Sequence, residues 1–135
     1  MNEKFMLEAI KQAKKAYKKN EVPVGAIIVK ENKIISKAYN MIEKKQNATE
    51  HAEIITIRKA TKKLKNWRLI DCDLYVTLEP CDMCKGAINA SRIKNVYYLL
   101  SKNENNLNKI NYKKIKKNSD EYLHLLQTFF REKRN

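Results

Sequence analysis

The sequence predicts an α/β fold: a three-layer α/β/α sandwich with helices on both faces of a mixed central sheet. Three observations predict it. Helical and strand-like periodicities follow one another in the order α-β-β-α-β-α-β-(β)-α. The first two strands are joined by a tight turn, which makes an antiparallel hairpin within the sheet. Only two Gly and two Pro interrupt 135 residues that are 43% hydrophobic. Such a composition excludes a disordered chain and suits a single domain over 1–135 with its own buried core.

Asn2 can cap a first helix over 3–19, whose Phe5, Met6, Ala9, Ile10, Ala13, Ala16 and Tyr17 share one face. Residues 22–30 read as a strand with Pro23 at its start, where a missing N–H does least harm. Glu31-Asn32 turns the chain into a second strand, 33–39. A polar loop over 40–50 leads to a helix from about 51 to 65. Trp67 follows it and reads as a packing anchor. A third strand, 71–78, precedes a helix over 81–91, and 95–100 makes a fourth strand. Residues 112–116 suit a short fifth strand. About ten residues connect it to the fourth, fewer than most parallel crossovers use, so its direction stays open. Asn118 and Glu121 form a capping-box pattern for a last helix, 119–134, with Tyr122, Leu125, Leu126, Phe129 and Phe130 inward.

The N-terminus opens on a charged helical pattern rather than an apolar signal core, and the longest apolar runs are strand-sized. The expectation is a soluble, cytoplasmic protein with no membrane partner. Three cysteines, an odd number, argue against a disulfide framework and for metal or catalytic use. The net charge of +14 points to a polyanionic partner, most simply nucleic acid. Lys outnumbers Arg 24 to 5, however, and AT-rich codons would raise the charge without any RNA.

Two short motifs carry the chemistry. His51-Ala52-Glu53 opens the second helix, and Pro80-Cys81-Asp82-Met83-Cys84 opens the third. Cys81 and Cys84 are spaced i, i+3 and so share one face of a helical first turn. Pro80 suits that start, because its absent N–H would have no partner there. One imidazole and two thiolates supply three ligands to a single Zn2+ and leave a fourth tetrahedral position open for water, as catalytic sites do. Glu53 lies two residues beyond the histidine. It is near enough to move protons between the water, a ring nitrogen and a departing amine. Competing readings are a helix-capping histidine with buried cysteines, and a redox Cys-x-x-Cys. Pairing with a His-x-Glu thirty residues upstream favours the zinc site over both. Cys72 reads as a small core residue and His124 as a surface or packing residue.

These motifs resemble the cytidine deaminase superfamily, and most closely the bacterial tRNA-specific adenosine deaminases. The likeness continues in Asn20-Glu21-Val22-Pro23-Val24-Gly25-Ala26, Asn40, Trp67-Arg68-Leu69, Leu74-Tyr75-Val76-Thr77-Leu78-Glu79-Pro80-Cys81, Ser91-Arg92-Ile93 and Phe129-Phe130-Arg131. It is dense from about 5 to 98 and patchy afterwards. The resemblance implies a cytidine deaminase-like fold and a homodimer that converts adenosine to inosine at the wobble position of a tRNA anticodon. It places Asn40, Ala52, Leu78 and Pro80 at the substrate, with the Ala52 N–H on the new oxygen at C6. Lys102, Phe129, Phe130 and Arg131 become candidate RNA contacts, with Lys133 and Arg134 in the tail.

The chain departs from the family after its fourth strand. Leu99-Leu100-Ser101-Lys102-Asn103-Glu104-Asn105-Asn106 has no glycine, and a lysine stands where the family carries an aspartate. That keeps two alternatives in view: a zinc deaminase of a free base or nucleoside (cytosine, cytidine or guanine), and a non-catalytic zinc-containing RNA-binding module. The Lys113-Lys114 and Lys116-Lys117 pairs read equally as a solvated edge or an RNA-facing patch.

Overall fold

The computed structural model describes residues 2–101 and 111–132. The elements follow the order α1 (Glu3–Lys18), β1 (Gly25–Lys30), β2 (Lys33–Tyr39), α2 (Ile42–Lys45), α3 (Ala52–Leu64), β3 (Cys72–Leu78), α4 (Asp82–Ala90), β4 (Asn95–Leu100), β5 (Asn111–Lys114) and α5 (Ser119–Glu132). Five strands form one sheet in the order β2-β1-β3-β4-β5. β1 runs antiparallel to both β2 and β3, whereas β3, β4 and β5 are parallel. The sheet is therefore mixed, as the sequence predicts.

Local chemistry sets the boundaries. Asn2 Oδ1 accepts the Lys4 N–H at 3.0 Å, the cap expected of it. Glu31 and Asn32 both have positive φ, 51° and 61°, the two-residue turn whose twist matches a hairpin. Burial then divides the molecule into two apolar layers. On one face of the sheet Phe5, Met6, Ala9 and Ile10 of α1 meet Ile27, Tyr75 and Leu99, and Tyr122 and Leu126 of α5. On the other face Ala52 and Ala60 of α3 and Ile88 of α4 meet Ala26, Ile28, Leu74, Val76 and Val96. Alternate residues of each central strand thus serve opposite layers. Gly25 lets α1 lie close to β1, because a Cβ there would stand 2.0 Å from the Ala9 carbonyl oxygen and 2.5 Å from the Ala13 nitrogen.

Several expectations are corrected. The 40–50 loop contains α2, a single helical turn. Its N–H groups at Glu43 and Lys44 donate to the buried Glu21 carboxylate at 3.0 and 2.9 Å. The fifth strand, whose direction the sequence leaves open, is parallel to β4, with Asn95 opposite Asn111. Asn118 takes φ 69° rather than the extended geometry of an N-cap, and Glu121 pairs instead with Lys14 of α1 at 2.8 Å. Phe130 is 46% exposed, while its neighbour Phe129 is buried against the Tyr17 ring at 6.3 Å. Trp67 is not a core anchor: it is 51% exposed, with the Arg68 and Arg92 guanidinium groups 4.3 and 5.4 Å from its ring. Cys72 is buried and His124 exposed, as expected. No described helix is long and apolar enough to cross a membrane.

Candidate metal centre

His51 is the N-cap of α3, and Cys81 is the N-cap of α4. Both have the extended backbone that such positions take, yet neither side chain makes a capping hydrogen bond. Ser, Thr, Asp or Asn would be the ordinary choice there. Here imidazole and thiol turn towards one another instead. His51 Nδ1 lies 3.7 Å from Cys81 Sγ and 3.4 Å from Cys84 Sγ. Among the described residues these three form a group whose donor atoms all lie within 4.8 Å of one another.

The spacing fits a tetrahedral ion. With Zn–S of about 2.3 Å and Zn–N of about 2.0 Å, a nitrogen and a sulfur sharing one zinc sit about 3.5 Å apart. The observed separations bracket that value. The electrostatics make the same demand. Burial pushes the Cys84 thiol well above its ordinary value, and the neighbouring Glu53 and Cys81 push it further. Ionised sulfur is stable there only with a cation beside it, and a bound metal supplies one.

The centre borders a cavity of about 180 Å³ lined by Val22, Val24, Asn40, Ile42, His51, Glu53, Leu78 and Glu79. Of the residues the sequence singles out, Asn40, His51, Glu53 and Leu78 meet in this wall. Glu53 is 3% exposed and occupies the first turn of α3, where the helix dipole favours its carboxylate. Asn40 is buried, and its Oδ1 accepts the Ala52 N–H at 2.7 Å. The donor expected to hold a substrate oxygen is thus already engaged, and it orients Asn40. Pro80 is buried in the turn between β3 and Cys81.

The candidate RNA contacts are less uniform. Phe129 is buried, its ring packed on that of Tyr17. Phe130 and Arg131 are exposed on α5, which packs on the α1 side of the sheet. Lys102, most of the 101–108 loop, Lys133 and Arg134 lie outside the described residues. Lys113, Lys114, Lys116 and Lys117 are exposed, with Lys117 paired to Glu3 at 2.8 Å.

Sequence reasoning missed Val22 and Val24, the Glu21 clamp, and a buried ion pair between Lys85 and Glu79 at 3.1 Å. Alternation about Pro23 was a usable signal for the two valines, since residues i and i+2 of extended chain face the same way. The Glu21 partners lie more than twenty residues away, beyond any local pattern.

Comparison with known proteins agrees with this geometry. The family model described as MafB19-like deaminase matches residues 1–134. A "tRNA-specific adenosine deaminase" of Rickettsia bellii is 58% identical over 95 residues, covering 69% of this chain and 66% of that protein. A chloroplastic "tRNA(adenine(34)) deaminase" of Arabidopsis thaliana is 50% identical over 98 residues, which are only 8% of its length. The chain thus spans less than two thirds of either relative. Among solved structures, one from a study of tRNA:A34 deaminases superposes with a TM-score of 0.73 at 41% identity, covering 74% of this chain and 72% of that one. Guanine deaminase from Bacillus subtilis superposes at 0.71 and 29% identity, covering 95% of both chains. Its matched sequence, its His-Cys-Cys donor group and its mixed five-stranded sheet make this chain a member of the MafB19-like deaminase family with a cytidine deaminase-like fold.

Proposed function

We propose that this chain is a zinc-dependent deaminase that converts adenosine to inosine at the wobble position of a tRNA anticodon. It would act as a homodimer in the cytoplasm, with one zinc per chain. The observation that carries the reading is the His51, Cys81 and Cys84 donor group beside a small cavity that His51 and Glu53 both line. When bound, the zinc supplies an activated water.

The chain's own residues do the rest. Glu53 accepts the water proton and delivers it to the purine ring nitrogen. Once the water oxygen has bonded to C6, Glu53 takes the remaining proton of that new hydroxyl and gives it to the amine as the C6–N bond breaks, so one carboxylate serves as base and acid in turn. Burial beside the centre keeps that carboxylate in place. The Ala52 N–H fixes which end of the Asn40 amide is oxygen, leaving the Nδ2 amino group to donate to the nucleoside. Val24, Ile42 and Leu78 form the apolar wall against which a flat base packs. The tRNA specificity is supported by the names of the matched relatives and by a net charge of +14.

A second reading, deamination of a free base, is favoured by the guanine deaminase likeness, which extends over 95% of both chains. One competition separates the two. The zinc-loaded protein is given an adenosine-containing anticodon stem-loop and, separately, free adenosine, cytidine and guanine. Inosine in the stem-loop, with the free compounds unchanged, supports the tRNA reading. Turnover of a free compound alone overturns it in favour of the second.

A further inference from the structure

The Lys85–Glu79 pair sits beside the metal centre and is almost wholly buried, with side chains 10% and 4% exposed. Glu79 stands two residues before Cys81, and Lys85 one residue after Cys84. The bond between them therefore closes across the whole segment that carries both cysteines. Each end is also anchored by its backbone. The Glu79 N–H donates to the Leu100 carbonyl at the end of β4 at 2.8 Å, and the Lys85 N–H to the Cys81 carbonyl at 2.8 Å within α4. From the edge strand β5, the Tyr112 ring faces the Lys85 ammonium at 5.4 Å.

Stability does not account for such a pair. Two charges removed from water lose several kcal/mol of hydration each, and apolar residues of similar size usually replace a buried pair at no net cost. An ion pair does fix distance and direction, which a greasy contact does not. We propose that the Lys85–Glu79 pair, backed by Tyr112, is a positioning brace that holds the Cys81–Cys84 turn at the spacing a metal requires. Lys85 and Glu79 are thus positioning residues that act through the two thiolates, and the brace ties β3, α4, β4 and β5 to the centre.

The proposal rests on the metal reading of His51, Cys81 and Cys84, so cobalt binding is measured first on the unaltered chain. A cobalt–thiolate charge-transfer band is expected; its absence would overturn the metal reading and the brace with it. The Glu79→Met/Lys85→Met double variant removes both charges together. It is expected to fold, with a shifted cobalt band and zinc loss to a chelator about tenfold faster, the scale of an outer-shell defect. Lys85→Arg keeps the pair and is expected to restore both readouts. An unchanged band and unchanged zinc loss in a folded double variant would overturn the brace while leaving the metal reading intact. If the double variant does not fold, Lys85→Gln carries the test, because it removes the charge and shortens the reach to Glu79 while keeping a polar side chain in the buried site. Faster zinc loss then supports the brace and an unchanged rate overturns it.

Discussion

The Asn40 carboxamide oxygen accepts the Ala52 N–H at 2.7 Å, joining the end of β2 to the first turn of the helix that carries Glu53. Both residues are buried, so neither end of this bond has water to fall back on. The bond commits the Asn40 oxygen to the fold, and the same residue lines the cavity, where the proposed function gives its amino group a substrate to hold. Asn40→Ala should lose both, with stability falling by about 1–3 kcal/mol because a buried N–H is orphaned. Asn40→Asp retains an acceptor for Ala52 but loses the donor, so it should keep more of the stability and still bind substrate poorly. Urea unfolding beside KM for both variants checks the split.

Cys84→Ala should lose stoichiometric metal. Removing one of three donors leaves a weak site, and metal binding is coupled to the stability of the two helix starts that share it. Metal analysis after gel filtration and Tm with and without added zinc measure this. The unaltered chain should gain Tm on zinc addition and the variant should not.

The two glycines should respond in opposite directions. At Gly25 a new methyl group would stand 2.0 Å from the Ala9 oxygen, a clash with backbone that cannot rotate away. Gly25→Ala should cost at least about 3 kcal/mol by forcing α1 from the sheet. Gly86 is exposed in α4, and a methyl group added there would meet nothing within 4 Å. Gly86→Ala should therefore stabilise by about 1 kcal/mol through helix propensity. Paired urea titrations give both values.

The Tyr112 hydroxyl is buried and has no hydrogen-bond partner among the described residues. Burial, assisted by Glu79, Cys84 and Glu53, pushes its ionisation from 10.0 up to about 12. Above pH 10 the unfolded chain loses this proton first, so its contribution to stability is complete below pH 10 and lost as pH rises through about 12. Tyr112→Phe should be neutral or stabilising by about 1 kcal/mol at neutral pH. It should also lack that part of the alkaline decline. Unfolding midpoints at neutral pH and between pH 10 and 12 check both.

The His51, Cys81 and Cys84 donor group was legible in the sequence because its geometry is local. Cys81 and Cys84 share a helical turn by spacing alone, and a histidine followed two residues later by a glutamate is a pattern within one element. What stayed hidden depends on contacts across the fold. Residues 42–45 carry no apolar period, and the helical turn they form has its Glu43 and Lys44 N–H groups held by the distant Glu21 carboxylate. Phe129 and Phe130 are adjacent, and helical periodicity alone did not decide which one Tyr17 would cover. Trp67 is an aromatic of core type, yet two arginines rather than the core attend its ring. Lys85 reads as one surface lysine among many until Glu79 and Tyr112 are placed beside it.

The most direct test of the central claim is the Glu53→Ala variant, assayed for inosine in an adenosine-containing anticodon stem-loop alongside its zinc content. The unaltered chain should form inosine, and the variant should keep its zinc and fall by about 100- to 10,000-fold in kcat, the range of a lost general acid–base. A zinc-loaded variant that deaminates the stem-loop at the unaltered rate would contradict that claim.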